Sequence, residues 1–210
     1  MTAPLTTLSR GAARVLGRGL TDLEADRFSK YLELLLKWQK SVRLVGRASP
    51  SWIVENLFLD SLLFLRALPG SFASLVDLGA GAGLPGIPIG IVKPETALVL
   101  IEARQRRASF LSTVVRELRL ASAQVVNARA EGVVDRFSNR FDAVVMRCAG
   151  KPEALISIAT RFVRQGGCVV VSGPPVRVRS SSSPDWIEVP GLPEVRAGAP
   201  RRFRIVRDHA

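Results

Sequence analysis

The feature that most constrains this chain is a glycine-rich turn between two apolar runs. The segment DLGAGAG over residues 77–83 follows the apolar run 74–76, and a second apolar run covers residues 97–101. Glycines are needed where a strand reverses sharply with positive φ and its backbone passes close to a ligand. The pattern predicts a strand, a loop that binds a nucleoside cofactor and a helix, as in a parallel α/β sheet.

A carboxylate stands at the expected distance from this loop. The last glycine of the segment is Gly83, and the second apolar run closes on Glu102. In nucleotide-binding α/β folds an acid about 20 residues beyond the glycines accepts hydrogen bonds from a ribose diol. We therefore expect Gly79, Gly81 and Gly83 to approach the cofactor and Glu102 to bind its ribose.

The prolines and the acid around the loop bear on which cofactor it holds. Residues 81–86 also match the dinucleotide pattern G-x-G-x-x-G, but Pro85 and Pro88 remove two N–H donors that a pyrophosphate needs. Asp77 adds a negative charge beside the turn, which suits a cationic ligand such as S-adenosylmethionine. A nicotinamide oxidoreductase is therefore the least favoured class. A turn whose glycines serve packing alone is a further alternative.

The segment 1–70 predicts a helical cap on this domain. Residues 1–19 are basic and free of acids, which predicts a loose basic arm, with an organelle transit peptide as the alternative. Thr21 and Glu24 form a capping box before an amphipathic helix, and a second helix near residues 50–68 is apolar on most sides. We expect the arm and cap over 1–70 and the cofactor-binding domain over 71–210, together one globular unit.

Alternating apolar and amphipathic stretches from residue 75 predict βαβ units. The fold class expected is α/β, a class I S-adenosylmethionine-dependent methyltransferase with a mostly parallel Rossmann-like sheet and a closing antiparallel hairpin. The predicted strands cover 75–78, 97–101, 123–127, 141–146 and 168–172, and the predicted helices cover 85–92, 105–119 and 152–164. Residues 165–167 are expected to end the last of these helices. The segment 186–189 is expected to pair with 203–206 as the closing hairpin.

The net charge of +12 is concentrated at the two ends of the chain. Residues 1–50 carry nine Lys+Arg against four Asp+Glu, residues 51–150 carry 11 against nine, and residues 151–210 carry ten against five. A polyanion such as nucleic acid explains positive charge on elements that flank a nearly neutral centre. Arg43 and Arg47 are candidate RNA contacts.

Several other classes are disfavoured by what the sequence lacks. The longest stretch without a charged residue, 78–92, is shorter than the roughly 20 apolar residues of a membrane helix. His209 is the only histidine and stands next to the end of the chain, so Ser/His/Asp chemistry is disfavoured, and no metal constellation is evident. Cys168 falls at a predicted strand position and Cys148 just beyond one, which predicts reduced thiols in a cytoplasmic protein.

The loop and its flanks resemble the RsmG (GidB) family of small-subunit ribosomal RNA guanine-N7 methyltransferases. The most specific match is VDLGAGAGLPGIP over residues 76–88, within a resemblance that runs from about Tyr31 to Gly173. The resemblance implies methylation of a guanine N7 in 16S ribosomal RNA by a monomer that acts on the RNA or the small subunit, with the basic pair Arg106 and Arg107 as RNA contacts. It also implies contacts with S-adenosylmethionine from Gly79, Leu84, Ala130, Glu131 and Arg147, with Ala130 and Glu131 beside the adenine.

The departures from the family pattern fall on the substrate side. Where the family has Asn-Leu-Thr, this chain has Arg43-Leu44-Val45. Leu57 replaces the family's usual histidine, and Ser172 replaces its lysine after the fifth strand. A non-catalytic RNA-binding protein is therefore an alternative, and a cytosine-C5 methyltransferase that uses the Cys148 thiolate is another. Guanine N7 needs no general base, so Arg147 is only a candidate for positioning cofactor or substrate.

Overall fold

A seven-stranded sheet in the order β3-β2-β1-β4-β5-β7-β6 forms the centre of the fold. The computed structural model describes residues 3–147, 153–172, 186–195 and 198–207. The strands are β1 Ser74–Leu78, β2 Ala97–Ile101, β3 Ala123–Val126, β4 Phe141–Arg147, β5 Val163–Ser172, β6 Trp186–Val189 and β7 Arg201–Arg207.

The first five strands are parallel, and the last two form an antiparallel hairpin on the edge of β5. β1 pairs with β2 on one side and with β4 on the other. β7 runs antiparallel to both β5 and β6. Apolar runs without alternation are typical of parallel strands that are covered on both faces, which is why 75–78 and 141–146 were predictable from sequence. The expected class, with its closing hairpin, is confirmed.

Helices cover both faces of the sheet. They are α1 Ala3–Leu16, α2 Asp22–Gln39, α3 Pro50–Ile53, α4 Leu59–Leu62, α5 Gly86–Val92, α6 Gln105–Glu117, α7 Val134–Phe137 and α8 Glu153–Thr160, with a π turn over Val54–Phe58 and 3-10 turns over Leu63–Arg66 and Ala130–Gly132. The capping box of α2 is confirmed, since Thr21 and Glu24 exchange both hydrogen bonds. The predicted helix over 50–68 is an α–π–α–3-10 succession.

The expected loose basic arm is wrong for the described residues of that segment, because α1 is a packed helix. Leu8 and Ala12 are buried on its inner face. A Cβ on Gly11 would lie 2.6 Å from a methyl carbon of Leu59, so the glycine lets α1 approach α4 closely. Leu5, Leu8 and Ala12 recur at helical spacing, and the arginines of the acid-free segment, Arg10, Arg14 and Arg18, concealed that stripe.

Residues 165–167 do not stop a helix, as the sequence had suggested. α8 ends at Thr160 and β5 already begins at Val163. The carbonyl oxygen of Phe162 accepts hydrogen bonds from the backbone N–H groups of Arg140 and Phe141, which starts the pairing with β4. The two glycines instead lie inside β5, beside the shift of register between Phe141 and Ala143.

The N-terminal helices and the sheet share one apolar core. Leu8 of α1, Phe28 of α2 and Phe58 of the π turn belong to the same buried cluster as Leu75 of β1 and Phe110 of α6. A second cluster covers the opposite face of the sheet. Cys168 is buried as expected, whereas Cys148 and His209 lie outside the described residues.

Neither a membrane-spanning helix nor a metal cluster occurs among the described residues. Across those ranges, no helix is both long and apolar enough to cross a bilayer. Over the same part of the chain, no three His, Cys, Asp or Glu side chains are grouped so as to hold a metal ion.

Candidate cofactor and substrate site

The strand order reverses between β1 and β4, and the site lies where these two strands end. In open α/β sheets, ligands bind in the crevice outside the carboxyl ends of the strands at such a switch point. β1 ends at Leu78, directly before the glycine loop, and β4 ends at Arg147. The topology therefore brings Asp77, the glycine loop and Arg147 to one edge of the sheet.

The glycine loop has the positive-φ backbone that its sequence predicts. Gly79, Gly81 and Gly83 have φ values of 72°, 59° and 86°. A Cβ on Gly83 would lie 2.5 Å from Cγ1 of Ile87, so packing against α5 requires that glycine. Gly79 is exposed and has no protein atom within 4 Å of a Cβ position, so its backbone faces open space. Packing within the protein thus explains Gly83 but leaves the open side of Gly79 available to a ligand.

Glu102 lies against this loop, as its spacing from the glycines predicts. Its Oε2 accepts a hydrogen bond from the backbone N–H of Gly81 at 2.9 Å. Its Oε1 accepts one from the N–H of Arg104 at 2.8 Å. The side chain of Asn127 donates to the backbone carbonyl of Glu102. Each carboxylate oxygen retains a lone pair, so the buried acid is oriented and can still accept from two hydroxyl groups.

Asp77 lies beneath the loop and is fully buried. Its Oδ2 accepts a hydrogen bond from the backbone N–H of Gly86, the first residue of α5, at 2.8 Å. Its Oδ1 has no hydrogen-bond partner among the described residues. Burial is the main cause that raises the pKa of Asp77 to about 7, while the Gly86 bond and the positive Arg147 act in the opposite direction. A nearby cation would therefore stabilise the ionised form of this carboxylate.

Arg147 is held by an ionic network that the sequence did not predict. Its Nη2 lies 3.0 Å from Oδ2 of Asp60 and donates to the hydroxyl of Ser61 at 2.9 Å. Arg201 of β7 approaches the same carboxylate, with Nε 2.6 Å from Oδ1. Asp60 is 1% exposed and Arg201 is 4% exposed. Two arginines therefore share one buried acid, and Arg147 places a positive charge at the carboxyl end of β4.

Three residues of this site were missed at the level of sequence, for different reasons. Asp60 lies in a predicted helix that is apolar on most sides and was assigned no role. Arg201 is one of many arginines in a basic segment, and 141 positions separate it from its partner, so no local pattern identifies it. Tyr31 lies in the predicted amphipathic helix and was assigned no role, yet its hydroxyl donates to the carbonyl of Ala82 in the loop at 2.5 Å. An apolar ring with a polar tip pointing at a loop leaves no periodic signal.

The residues expected beside the adenine also lie at this edge of the sheet. Ala130 and Glu131 form a 3-10 turn shortly after the carboxyl end of β3. Glu131 is exposed and Ala130 is half-buried, whereas Leu84 is buried next to the loop. Their contacts with a cofactor remain predictions that rest on the family resemblance.

Two of the departures from the family pattern flank Arg147. Ser172 is the register partner of Arg147 across β4 and β5, and it is buried. The carbonyl of Leu57, in the π turn, faces Nη2 of Arg147 at 3.5 Å. Leu57 and Ser172 therefore lie on either side of one arginine, while the loop and Glu102 match the expected pattern. Val45 is held through Gln39, whose side chain bonds both its N–H and its carbonyl.

Three of the four arginines expected to contact RNA converge in space. Arg43, Arg106 and Arg107 line a cavity of about 360 Å³ that is formed by residues 41–43 and 104–107. Arg47 is exposed but does not line this cavity.

The chain is similar to one family of known proteins over most of its length. A family model described as "rRNA small subunit methyltransferase G" (GidB) matches residues 24–172. A "Ribosomal RNA small subunit methyltransferase G" of Desulfitobacterium hafniense is 34% identical over 76% of this chain and 67% of its own length. A protein of the same name from Caldanaerobacter subterraneus is 35% identical over 76% of this chain and 68% of its own.

Solved structures resemble the fold at lower identity. A cofactor-bound structure of Rv0187 from MTB gives a TM-score of 0.60 at 16% identity and covers 88% of this chain and 90% of that one. A methyltransferase from Geobacter sulfurreducens gives a TM-score of 0.55 at 11% identity over 87% and 88% of the two chains. These likenesses bear on the architecture of the sheet and its helices.

Proposed function

Because the chain belongs to the GidB family of small-subunit ribosomal RNA methyltransferases, we propose that it methylates N7 of a guanine in 16S ribosomal RNA with S-adenosylmethionine. The observation that carries the proposal is the Glu102 carboxylate. It is buried, bonded to the glycine loop and positioned at the carboxyl end of β2, with lone pairs left for two hydroxyl groups.

The residues at the switch point fit S-adenosylmethionine. The open side of Gly79 admits a ligand against the backbone, and Glu102 suits its ribose. The Oδ1 of Asp77 has no hydrogen-bond partner among the described residues, and a nearby positive charge would stabilise the ionised carboxylate. Asp77 therefore suits the sulfonium or ammonium group of the cofactor. Arg147 suits its carboxylate, because a guanidinium group pairs with a carboxylate through charge-assisted hydrogen bonds. Leu84, Ala130 and Glu131 complete the proposed contacts.

Methyl transfer to N7 requires little of the protein beyond alignment of the two reacting atoms. When bound, the cofactor supplies a methyl group on a positively charged sulfur, and the N7 lone pair forms the new bond as the carbon–sulfur bond breaks. N7 carries no proton, so no residue of the site has to act as a base. The protein's contribution is to hold the two reacting atoms in line at about 3 to 3.5 Å, an effect whose upper range is roughly 7 to 11 kcal/mol.

The basic ends of the chain support an RNA substrate. Excess positive charge lies in the segments 1–50 and 151–210, outside the nearly neutral centre. The proposal includes action as a monomer in the cytoplasm, on naked RNA or on the small subunit.

Methyl transfer to defined RNAs tests this function. The protein is incubated with methyl-labelled S-adenosylmethionine and, separately, with small subunits, naked 16S RNA and transfer RNA. We expect label at one guanine of 16S RNA, where borohydride and aniline then cleave the strand because N7-methylguanosine is labile. Binding of the cofactor without label on any RNA would support the non-catalytic alternative, and label as 5-methylcytosine that Cys148→Ser abolishes would support the thiolate mechanism.

A further inference from the structure

A cleft with a wholly basic charged lining opens beside the cofactor loop. We call it the arginine cleft; its lining consists of residues 41–43, from the segment after α2, and 104–107, at the start of α6. Its volume is about 360 Å³. The charged side chains in this lining are Arg43, Arg104, Arg106 and Arg107, and the lining includes no acid.

The arginines of the cleft form no ion pair with an acid of the described residues. Within the described ranges, none of its four guanidinium groups lies within 4 Å of a carboxylate oxygen, although nine other such ion pairs occur there. Arg43, Arg104 and Arg106 are exposed. Four like charges that share one concave surface raise the local potential and favour an anionic partner.

The start of α6 adds to this potential. Arg104 is the N-cap residue, but its own side chain makes no capping hydrogen bond, and no acid occurs in the first turn of the helix. The first amides of a helix have no acceptor within it, and the helix dipole is positive there. Both effects favour an anion at the same place as the arginines.

Backbone contacts join the arginine cleft to the cofactor site. The N–H of Arg104 donates to Glu102, the acid proposed to bind the ribose. Arg107 bridges the two walls, because its Nη2 donates to the carbonyl of Arg43 at 3.1 Å. Its Nη1 lies 3.8 Å from a Cβ position on Gly81 of the loop. An anion in the cleft would therefore lie next to the bound cofactor.

We propose that the arginine cleft binds backbone phosphates of the substrate RNA next to the target nucleotide. Arg43, Arg104 and Arg106 contact the phosphates, and Arg107 is a brace that fixes the Arg43 segment against the cofactor loop. Guanidinium groups suit phosphate oxygens through paired hydrogen bonds. Such contacts fix the position of the strand and carry affinity without selecting its bases. This inference rests on the proposed RNA methyltransferase function.

A matched pair of triple variants tests the cleft. One variant combines Arg43→Ala, Arg104→Ala and Arg106→Ala. The control combines Lys93→Ala, Arg116→Ala and Arg140→Ala, which removes the same charge at the opposite edge of the sheet, after α5, at the end of α6 and before β4. Both are compared with the wild type for affinity to a 16S RNA fragment at several salt concentrations, for methyl-transfer KM and kcat, and for S-adenosylhomocysteine affinity by calorimetry.

We expect the cleft variant to bind RNA at least about tenfold more weakly than wild type, and the control to stay within about threefold. The slope of log K against log salt should become shallower by about 2 in the cleft variant, since each lost contact with a single-stranded phosphate removes about 0.7. Its KM for RNA should rise, while kcat at saturating RNA and S-adenosylhomocysteine affinity stay near wild type. Retained cofactor affinity also shows that the variant is folded.

Two results would overturn the cleft while leaving the proposed function intact. In one, wild type methylates RNA and both triple variants lose affinity equally, so that only net charge matters. In the other, the cleft variant keeps the wild-type KM and salt slope. Failure of the proposed function is distinguishable, because wild-type protein would then transfer no label to any RNA. That result would also contradict the assignment of the cleft.

Discussion

At the scale of single residues, Asp77 links the stability of the fold to pH. Its pKa is raised to about 7 in the folded protein from an ordinary value near 3.8. Between these values the folded chain keeps a proton that the unfolded chain releases, so stability falls as pH rises from about 4 to about 7 and is level above that range. The effect exists because the acid is buried beneath α5 with one oxygen unpartnered among the described residues.

Asp77→Asn should remove this pH dependence. An amide oxygen can still accept the bond from the Gly86 N–H, but the side chain has no charge to lose or gain. We expect wild type to lose up to about 4 kcal/mol of unfolding free energy relative to the variant between pH 4 and pH 8, at about 1.4 kcal/mol per unit of raised pKa. Urea unfolding at four pH values measures this difference, and parallel pH profiles for the two proteins would contradict it.

Glu102 is a second single residue with a testable role, in this case in cofactor binding. Glu102→Ala removes the proposed hydrogen bonds to the ribose, which should weaken cofactor affinity by roughly 5- to 150-fold, or about 1 to 3 kcal/mol. Calorimetry with S-adenosylhomocysteine measures the change. Glu95→Ala is the control, since that exposed acid precedes β2 at the other edge of the sheet. An unchanged dissociation constant in Glu102→Ala would remove Glu102 from the site.

At the scale of elements, the sequence predicted what is periodic or local. The strands at 75–78 and 97–101, the capping box and the position of Glu102 follow from patterns that each lie within a single βαβ unit or a single helix turn. The extent of β5 did not, because pairing with β4 and not the glycines determines where it begins. The ionic network could not be predicted from the sequence either, because the elements that carry Asp60, Arg147 and Arg201 meet only through the topology of the sheet.

Asp60→Asn should destabilise the protein through these three elements. It leaves two guanidinium groups without their shared buried carboxylate, and breaking a buried ion pair in this way costs about 3 to 5 kcal/mol. Asp135→Asn is the matched control, because its pair with Arg161 joins exposed side chains and should contribute nothing measurable. Urea unfolding distinguishes the two, and equal effects would show that burial of the network is unimportant for stability.

At the scale of the whole molecule, the N-terminal helices and the sheet share their core. Leu8, Phe28 and Phe58 lie in one cluster with Phe110 and Leu75. The segments before and after residue 70 therefore pack into a single core. Trp38 packs edge-on against Phe110 of α6, which places a fluorescent side chain at the junction. Cap and sheet should therefore lose their structure together.

This predicts one unfolding transition for the cap and the sheet. In Trp186→Phe, the remaining tryptophans are Trp38 and Trp52, both in the N-terminal helical segments, whereas far-UV circular dichroism reports the whole chain. We expect the two signals to give the same urea midpoint, because coincident probes indicate a cooperative unit. Deletion of residues 1–17 should lower that midpoint for both signals, since it exposes the surface that Leu8 and Ala12 cover. A fluorescence transition that precedes the circular dichroism transition would instead identify the cap as a separately folding domain.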